Sequence, residues 1–179
     1  MKIQLLSRVL LSYQLWTMVS SHTRIIGGRK VEAGRFPYAV SFKDILGHFF
    51  CGGSLISRDV VLSAAHCEGV PFDKAVVGRH DLNTNEGKEM QVASTVRHPE
   101  YNDGITTGND IMLVFLEEPT DEGVELVKLN SHDFSPEIGS PITVAGWGRT
   151  DAANAFSGTN LLVSVKVKTI SNTECEQSG

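Results

Sequence analysis

Residues 161–170 read Leu-Leu-Val-Ser-Val-Lys-Val-Lys-Thr-Ile. Val163, Val165 and Val167 alternate with Ser164, Lys166 and Lys168, the two-residue period of a strand with one face packed and the other in water. Working outward, short and often β-branched runs recur at Val31–Phe42, Gly53–Ser57, Val60–Ser63, Ala75–Gly78, Met90–Val96, Ile111–Leu116 and Ile142–Ala145. Turn-forming residues separate them, as in Gly69-Val-Pro71, Asn83–Gly87, Tyr101–Gly108 and Asp151–Gly158. Many short strands at such spacing specify an antiparallel barrel or sandwich. No stretch carries a long amphipathic helical pattern, a fixed-period repeat or a low-complexity run. The fold class is all-β.

A chain of 179 residues suits one domain of ordinary size. With 41% hydrophobic and 21% charged residues it has the composition of a folded globular chain, which excludes wholesale disorder. No apolar run reaches the roughly 18 residues that a spanning helix needs. Sixteen Lys and Arg against 21 Asp and Glu give a net charge of −5, which argues against a sequence-independent grip on nucleic acid phosphates. Three cysteines are too few for a disulfide-built miniprotein, and an odd count leaves one without an internal partner.

The N-terminal 24 residues stand apart. They hold three cations (Lys2, Arg8, Arg24) and no acid, with an apolar run from Val9 to Val19 followed by Ser20 and Ser21. A basic start, a short apolar centre and small residues at its end make the pattern of a secretory leader. Residues 1–24 are therefore read as a signal peptide plus a short propeptide, and the protein as secreted and extracellular. Without them the chain keeps 13 of its 16 cations and all 21 acids, a charge of −8 that does not suit an acidic partner surface.

Three local patterns carry chemistry. Residues 62–67 read Leu-Ser-Ala-Ala-His-Cys, with Cys51-Gly-Gly-Ser54 upstream. Residues 109–114 read Asn-Asp-Ile-Met-Leu-Val, an acid opening an apolar strand, and Ile25-Ile-Gly-Gly28 follows Arg24 directly. Each alone has a plain structural explanation: a core histidine, a turn acid, a glycine turn. The three together, in this order and in a β-rich chain with a leader, are far more specific.

On these residues the chain resembles the trypsin/chymotrypsin family of secreted serine endopeptidases, from Arg24 to Gly179. Further matches are Phe36-Pro-Tyr-Ala-Val-Ser41, Cys51-Gly-Gly-Ser-Leu-Ile56, His98-Pro99 with Tyr101-Asn102, Val144-Ala-Gly-Trp-Gly148 and Val167–Cys175. The resemblance implies two six-stranded antiparallel barrels with the active site between them. Residues 25–123 would form the first barrel and 124–179 an incomplete second. It implies His66 as the general base and Asp110 as the carboxylate that fixes the ring tautomer and stabilises the imidazolium. It also implies a Cys51–Cys67 disulfide, an unpaired Cys175 whose partner lies further on, and an activating cleavage between Arg24 and Ile25.

The family's nucleophile lies in Gly-Asp-Ser-Gly-Gly, a segment that does not occur here. Ser54, Ser63, Ser140, Ser157 and Ser164 lie in no Gly-x-Ser-x-Gly turn. The chain is thus expected to be a fragment of a Ser-His-Asp endopeptidase, inactive by itself. The alternatives are a secreted non-catalytic homologue acting as a binding protein, and a non-functional product. Arg24, a tryptic cleavage site, favours trypsin-like over chymotrypsin-like specificity if the enzyme activates itself.

The resemblance further suggests a calcium loop over Gly78–Met90, with Glu86 and Glu89 at carboxylate-ligand positions. Arg79 stands where another Glu is expected, and a cation there disfavours the ion, so no cofactor is expected. The six histidines show no zinc-binding spacing, and no Asn-x-Ser/Thr sequon occurs. Expected partners are protein or peptide substrates and protease inhibitors, with no nucleic acid and no membrane span, and the chain is expected to be monomeric.

Overall fold

The computed structural model describes residues 25–101, 108–131, 136–151 and 158–177. The leader, Arg24 and Ser157 lie outside them, as do Asn102 and most of the turns expected at 101–108 and 151–158.

The strands are β1 (Arg29–Lys30), β2 (Ala39–Asp44), β3 (Phe49–Ser57), β4 (Val60–Ser63), β5 (Phe72–Val77), β6 (Lys88–Arg97), β7 (Met112–Leu116), β8 (Pro141–Gly146) and β9 (Val163–Lys168). A 3₁₀ turn covers Ala65–Gly69 and a short helix, α1, covers Asn172–Gln177. Strands β2-β3-β4-β7-β6-β5 close into an antiparallel barrel, and β1-β9-β8 form a separate three-stranded sheet.

Alternation explains the barrel. In β7 Met112, Val114 and Leu116 are buried while Leu113 and Phe115 between them are only partly so. Val40, Phe42, Leu55, Val61, Ala75 and Val77 supply the same inward set from β2 to β5. Phe42 and Phe50 both lean on Phe72, with ring centroids 5.0 and 5.3 Å away. Truncating a buried ring of this kind to Ala typically costs about 3–5 kcal/mol. Gly53 lets β3 approach β4: a Cβ there would meet Val61 Cγ1 at 2.6 Å and the Leu62 carbonyl at 2.8 Å.

Two expectations need correction. The run Val31–Phe42 is a strand only from Ala39; the segment before it turns twice, with Arg35 N–H donating to Glu32 O and Ala39 N–H to Phe36 O. Gly34 at φ +78° and Pro37, which has no N–H to give a ladder, break the strand. The N-terminal β1 pairs with β9 and so adds to the second sheet instead of the barrel.

Among the described residues, the second sheet docks on the barrel through contacts centred on Trp147 and His80. Trp147 Nε1 donates to His80 O at 3.0 Å, its ring meets Phe49 edge-on at 5.6 Å, and Leu162 N–H donates to the same His80 carbonyl.

Candidate active site

The barrel register brings two distant segments to one rim. Strand β4 pairs with β7 so that Ser63, at the end of β4, lies opposite Met112, at the start of β7. The 3₁₀ turn carrying His66 leaves β4 at the point where Asp110 leads into β7, which removes a separation of 44 residues.

Each side is pinned. Cys67, next to His66, is disulfide-bonded to Cys51 of β3, with a Cα separation of 6.1 Å. Glu68 of the same turn pairs with Arg97 of β6 at 2.7 Å and accepts from Thr95 Oγ1 at 2.6 Å. On the other side Asn109 adopts φ +60°, a left-handed conformation that Asn tolerates better than other side-chain-bearing residues.

Two bonds join the pair. His66 Nδ1 lies 2.7 Å from Asp110 Oδ2, and the His66 backbone N–H donates to Oδ1 at 2.9 Å. Burial works against the Asp110 charge, but hydrogen bonds from the His66 ring and backbone outweigh it and hold the carboxyl below its ordinary value. An ionised carboxylate only accepts, so Nδ1 carries a proton, and in the neutral ring Nε2 presents a lone pair. The two side chains are 38% and 33% exposed, so a substrate can reach that lone pair. Nε2 lies 4.0 Å from Cys51 Sγ, and among the described residues it receives no serine hydroxyl. Ser63 Oγ donates to Gly52 O, and Ser164 lies on β9 of the second sheet.

Ile25 is 2% exposed, and its N–H donates to Arg149 O at 2.6 Å. Cys175 lies exposed on α1. A groove of 420 Å³ between barrel and second sheet, lined by Phe36, Tyr38, Phe49 and Trp147 among others, includes neither His66 nor Asp110.

Cys51, His66 and Cys67 place potential metal-ligand atoms within 4.8 Å of one another, but the two sulfurs are bonded together and offer no thiolate. The donors of the Gly78–Met90 segment do not fit calcium either. Glu86 is exposed, both Glu89 oxygens are held by lysines at 2.8 Å, and Arg79 turns its guanidinium inward.

The backbone N–H of His66 and the left-handed Asn109 add to the residues read from sequence. The signal for the second was the dipeptide Asn109-Asp110 before an apolar run; nothing local signalled the first.

The family model Trypsin matches residues 25–179. The chain is 37% identical over 134 residues to human putative trypsin-6, covering 74% of this chain and 53% of that protein. It is 33% identical to pig trypsin, covering 87% of this chain and 66% of that one. Its fold matches mouse neuropsin, a serine protease, with a TM-score of 0.76 at 28% identity, over 86% of this chain and 69% of that structure. The chain spans from about half to two thirds of the length of these two trypsin relatives. With the family model covering all but its N-terminal residues, the chain belongs to the trypsin family of serine proteases.

Proposed function

We propose that this chain supplies the general-base half of a trypsin-like endopeptidase that cleaves peptide bonds by Ser-His-Asp acyl transfer. The carrying observation is the His66–Asp110 contact of 2.7 Å on an accessible rim. In this reading His66 Nε2 takes the proton of a serine hydroxyl as it attacks the scissile carbonyl, then gives it to the leaving amine. Asp110 holds the tautomer and stabilises the imidazolium. The serine comes from a Gly-Asp-Ser-Gly-Gly segment outside this sequence, in the second barrel that residues 124–179 begin. Residues 1–24 direct secretion, and cleavage after Arg24 activates the zymogen.

The test compares the 179-residue chain with the same chain extended through the remainder of its transcript, each cut after Arg24, on chromogenic peptide amides with Arg or Lys before the scissile bond. The extended chain should turn over and the shorter one should not. His66→Ala in the extended chain should lower kcat by about 10⁴-fold or more, a magnitude taken from the family's known behaviour. An extended chain whose binding of protein partners is intact, and whose lack of turnover is unaffected by that substitution, would overturn the reading in favour of a non-catalytic homologue.

A further inference from the structure

We propose that the turn between β5 and β6 is built around an internal arginine cation, Arg79, in place of a metal ion, so that it keeps its shape without calcium. Arg79 is 6% exposed although it lies in a connection between two strands. Its Nε donates to the Glu86 carbonyl at 3.2 Å, which ties the beginning of the turn to its end. The backbone closes tightly over it: Gly87 has φ +83°, and a Cβ there would meet the Val77 carbonyl at 2.6 Å and Arg79 N at 3.1 Å.

Several of the oxygen atoms that a hard cation would need are already engaged. Glu86 O accepts from Arg79, and Asp81 O accepts from both the N–H and the Oγ1 hydroxyl of Thr84. Asp81 Oδ1 accepts from Asn83 N–H at 2.9 Å. Both Glu89 oxygens are bonded at 2.8 Å, one to Lys43 of β2 and one to Lys74 of β5. The 430 Å³ cavity that Arg79 borders includes Lys43 and His48 in its lining but no acid. Calcium seeks six to eight oxygen ligands with anionic charge among them, and beside the carboxylates of Asp81 and Glu86 this turn offers a buried cation, two occupied carbonyls and a Glu89 already paired with two lysines. The guanidinium does what a metal would do, drawing a carbonyl inward from the far side of the loop, with no ion to lose.

Trp147, bonded to His80 at 3.0 Å, reports on the turn. Terbium, which occupies calcium sites and is excited through a nearby indole, should give no saturable luminescence with the oxidised chain. The melting temperature should be the same in millimolar calcium and in EDTA. A luminescence signal displaced by calcium, or a melting temperature raised by it, would overturn the proposal, and neither measurement needs a variant. Arg79→Met keeps the length of the side chain and removes its charge. With it, a glutamyl endopeptidase should cut after Glu86 about tenfold faster or more, because a larger share of molecules has the turn open. Equal resistance in both chains would show that the arginine is not what holds the turn.

Discussion

Asp110 receives both N–H groups of His66, the backbone one on Oδ1 at 2.9 Å and the ring one on Oδ2 at 2.7 Å. One carboxylate thereby fixes the position of the 3₁₀ turn and the tautomer of the ring. Asp110→Asn cannot satisfy both donors, because one of its two arms is itself a donor. The proton should move from Nδ1 to Nε2, which removes the lone pair that a general base requires. Nitrogen NMR of the His66 ring in the 179-residue chain reads this directly, and a ring still protonated on Nδ1 in the variant would refute it.

Asn109 at φ +60° sets the direction in which Asp110 leaves the turn. Asn109→Gly should leave stability nearly unchanged, whereas Asn109→Val should cost about 1–2 kcal/mol or more, since a β-branched side chain resists this conformation. If the strain is relieved by rotating the turn, the His66–Asp110 bond breaks as well. Urea denaturation of the two variants, with the ring NMR signal beside it, separates pure strain from misplacement.

The sequence discloses a strand best where the burial pattern is local. Val60–Ser63 begins and ends where the β-branched run predicts, and residues 163–168 form the expected strand, β9, but exposure rises along it until Val167 is 39% exposed, so its outer end does not alternate. What it hides is set by distant partners. The two residues of β1 are strand only because β9 lies beside them. The helix Asn172–Gln177 buries no residue and so leaves no apolar period to read. The Lys43–Glu89–Lys74 trio joins β2, β6 and β5 through barrel closure, which no spacing along the chain announces. His66 and Asp110 stand out from their flanking residues, yet their contact depends on the β4–β7 register.

The Cys51–Cys67 bond closes a loop with a sequence separation of 16 and anchors the residue next to His66. Replacing both cysteines by Ala should lower stability by about 3 kcal/mol on the chain-entropy account. Because Glu68 still pairs with Arg97, the turn should keep its place in the fold while the ring gains mobility. Urea midpoints should therefore fall with little change in far-UV circular dichroism. A midpoint unchanged from that of the native chain would show that the bond contributes little.

Glu89 lies between Lys43 and Lys74, and their hydrogen bonds and charges lower its pKa from 4.5 to about 2. A carboxyl depressed in the folded state contributes stability that is fully present above its unfolded value and is lost as the pH falls towards its folded value. The loss attributable to Glu89 should therefore lie between about pH 4.5 and pH 2, and be modest because the group is 40% exposed. Glu89→Gln should be less stable than the native chain at pH 7, and the two should converge near pH 2. Melting curves across that range test it, and a constant gap between the two chains at all pH values would rule out titration of Glu89 as the cause.

Ile25 ties the proposed activation to the structure. Its side chain is 2% exposed, its N–H donates to Arg149 O at 2.6 Å, and its Cδ1 lies 3.6 Å from where a Cβ on Gly146 would stand. Gly28 completes the seat, since a Cβ there would meet Ile25 Cγ2 at 2.6 Å. A peptidase cutting after Arg24 must take Ile25 into its own cleft, so this seat has to open before the bond can be cut. Ile25→Ala should therefore act in two opposed ways. It should destabilise the chain by about 2–5 kcal/mol through the cavity it leaves. It should also raise the rate of tryptic cleavage after Arg24 by about tenfold or more, because the seat is open in a larger fraction of molecules. A pair of peptides spanning residues 20–30, with Ile or Ala at position 25, corrects for trypsin's own preference after the scissile bond. N-terminal sequencing should identify the native product as Ile-Ile-Gly-Gly. Corrected rates equal in the two chains would show that the Ile25 seat does not guard the cleavage site.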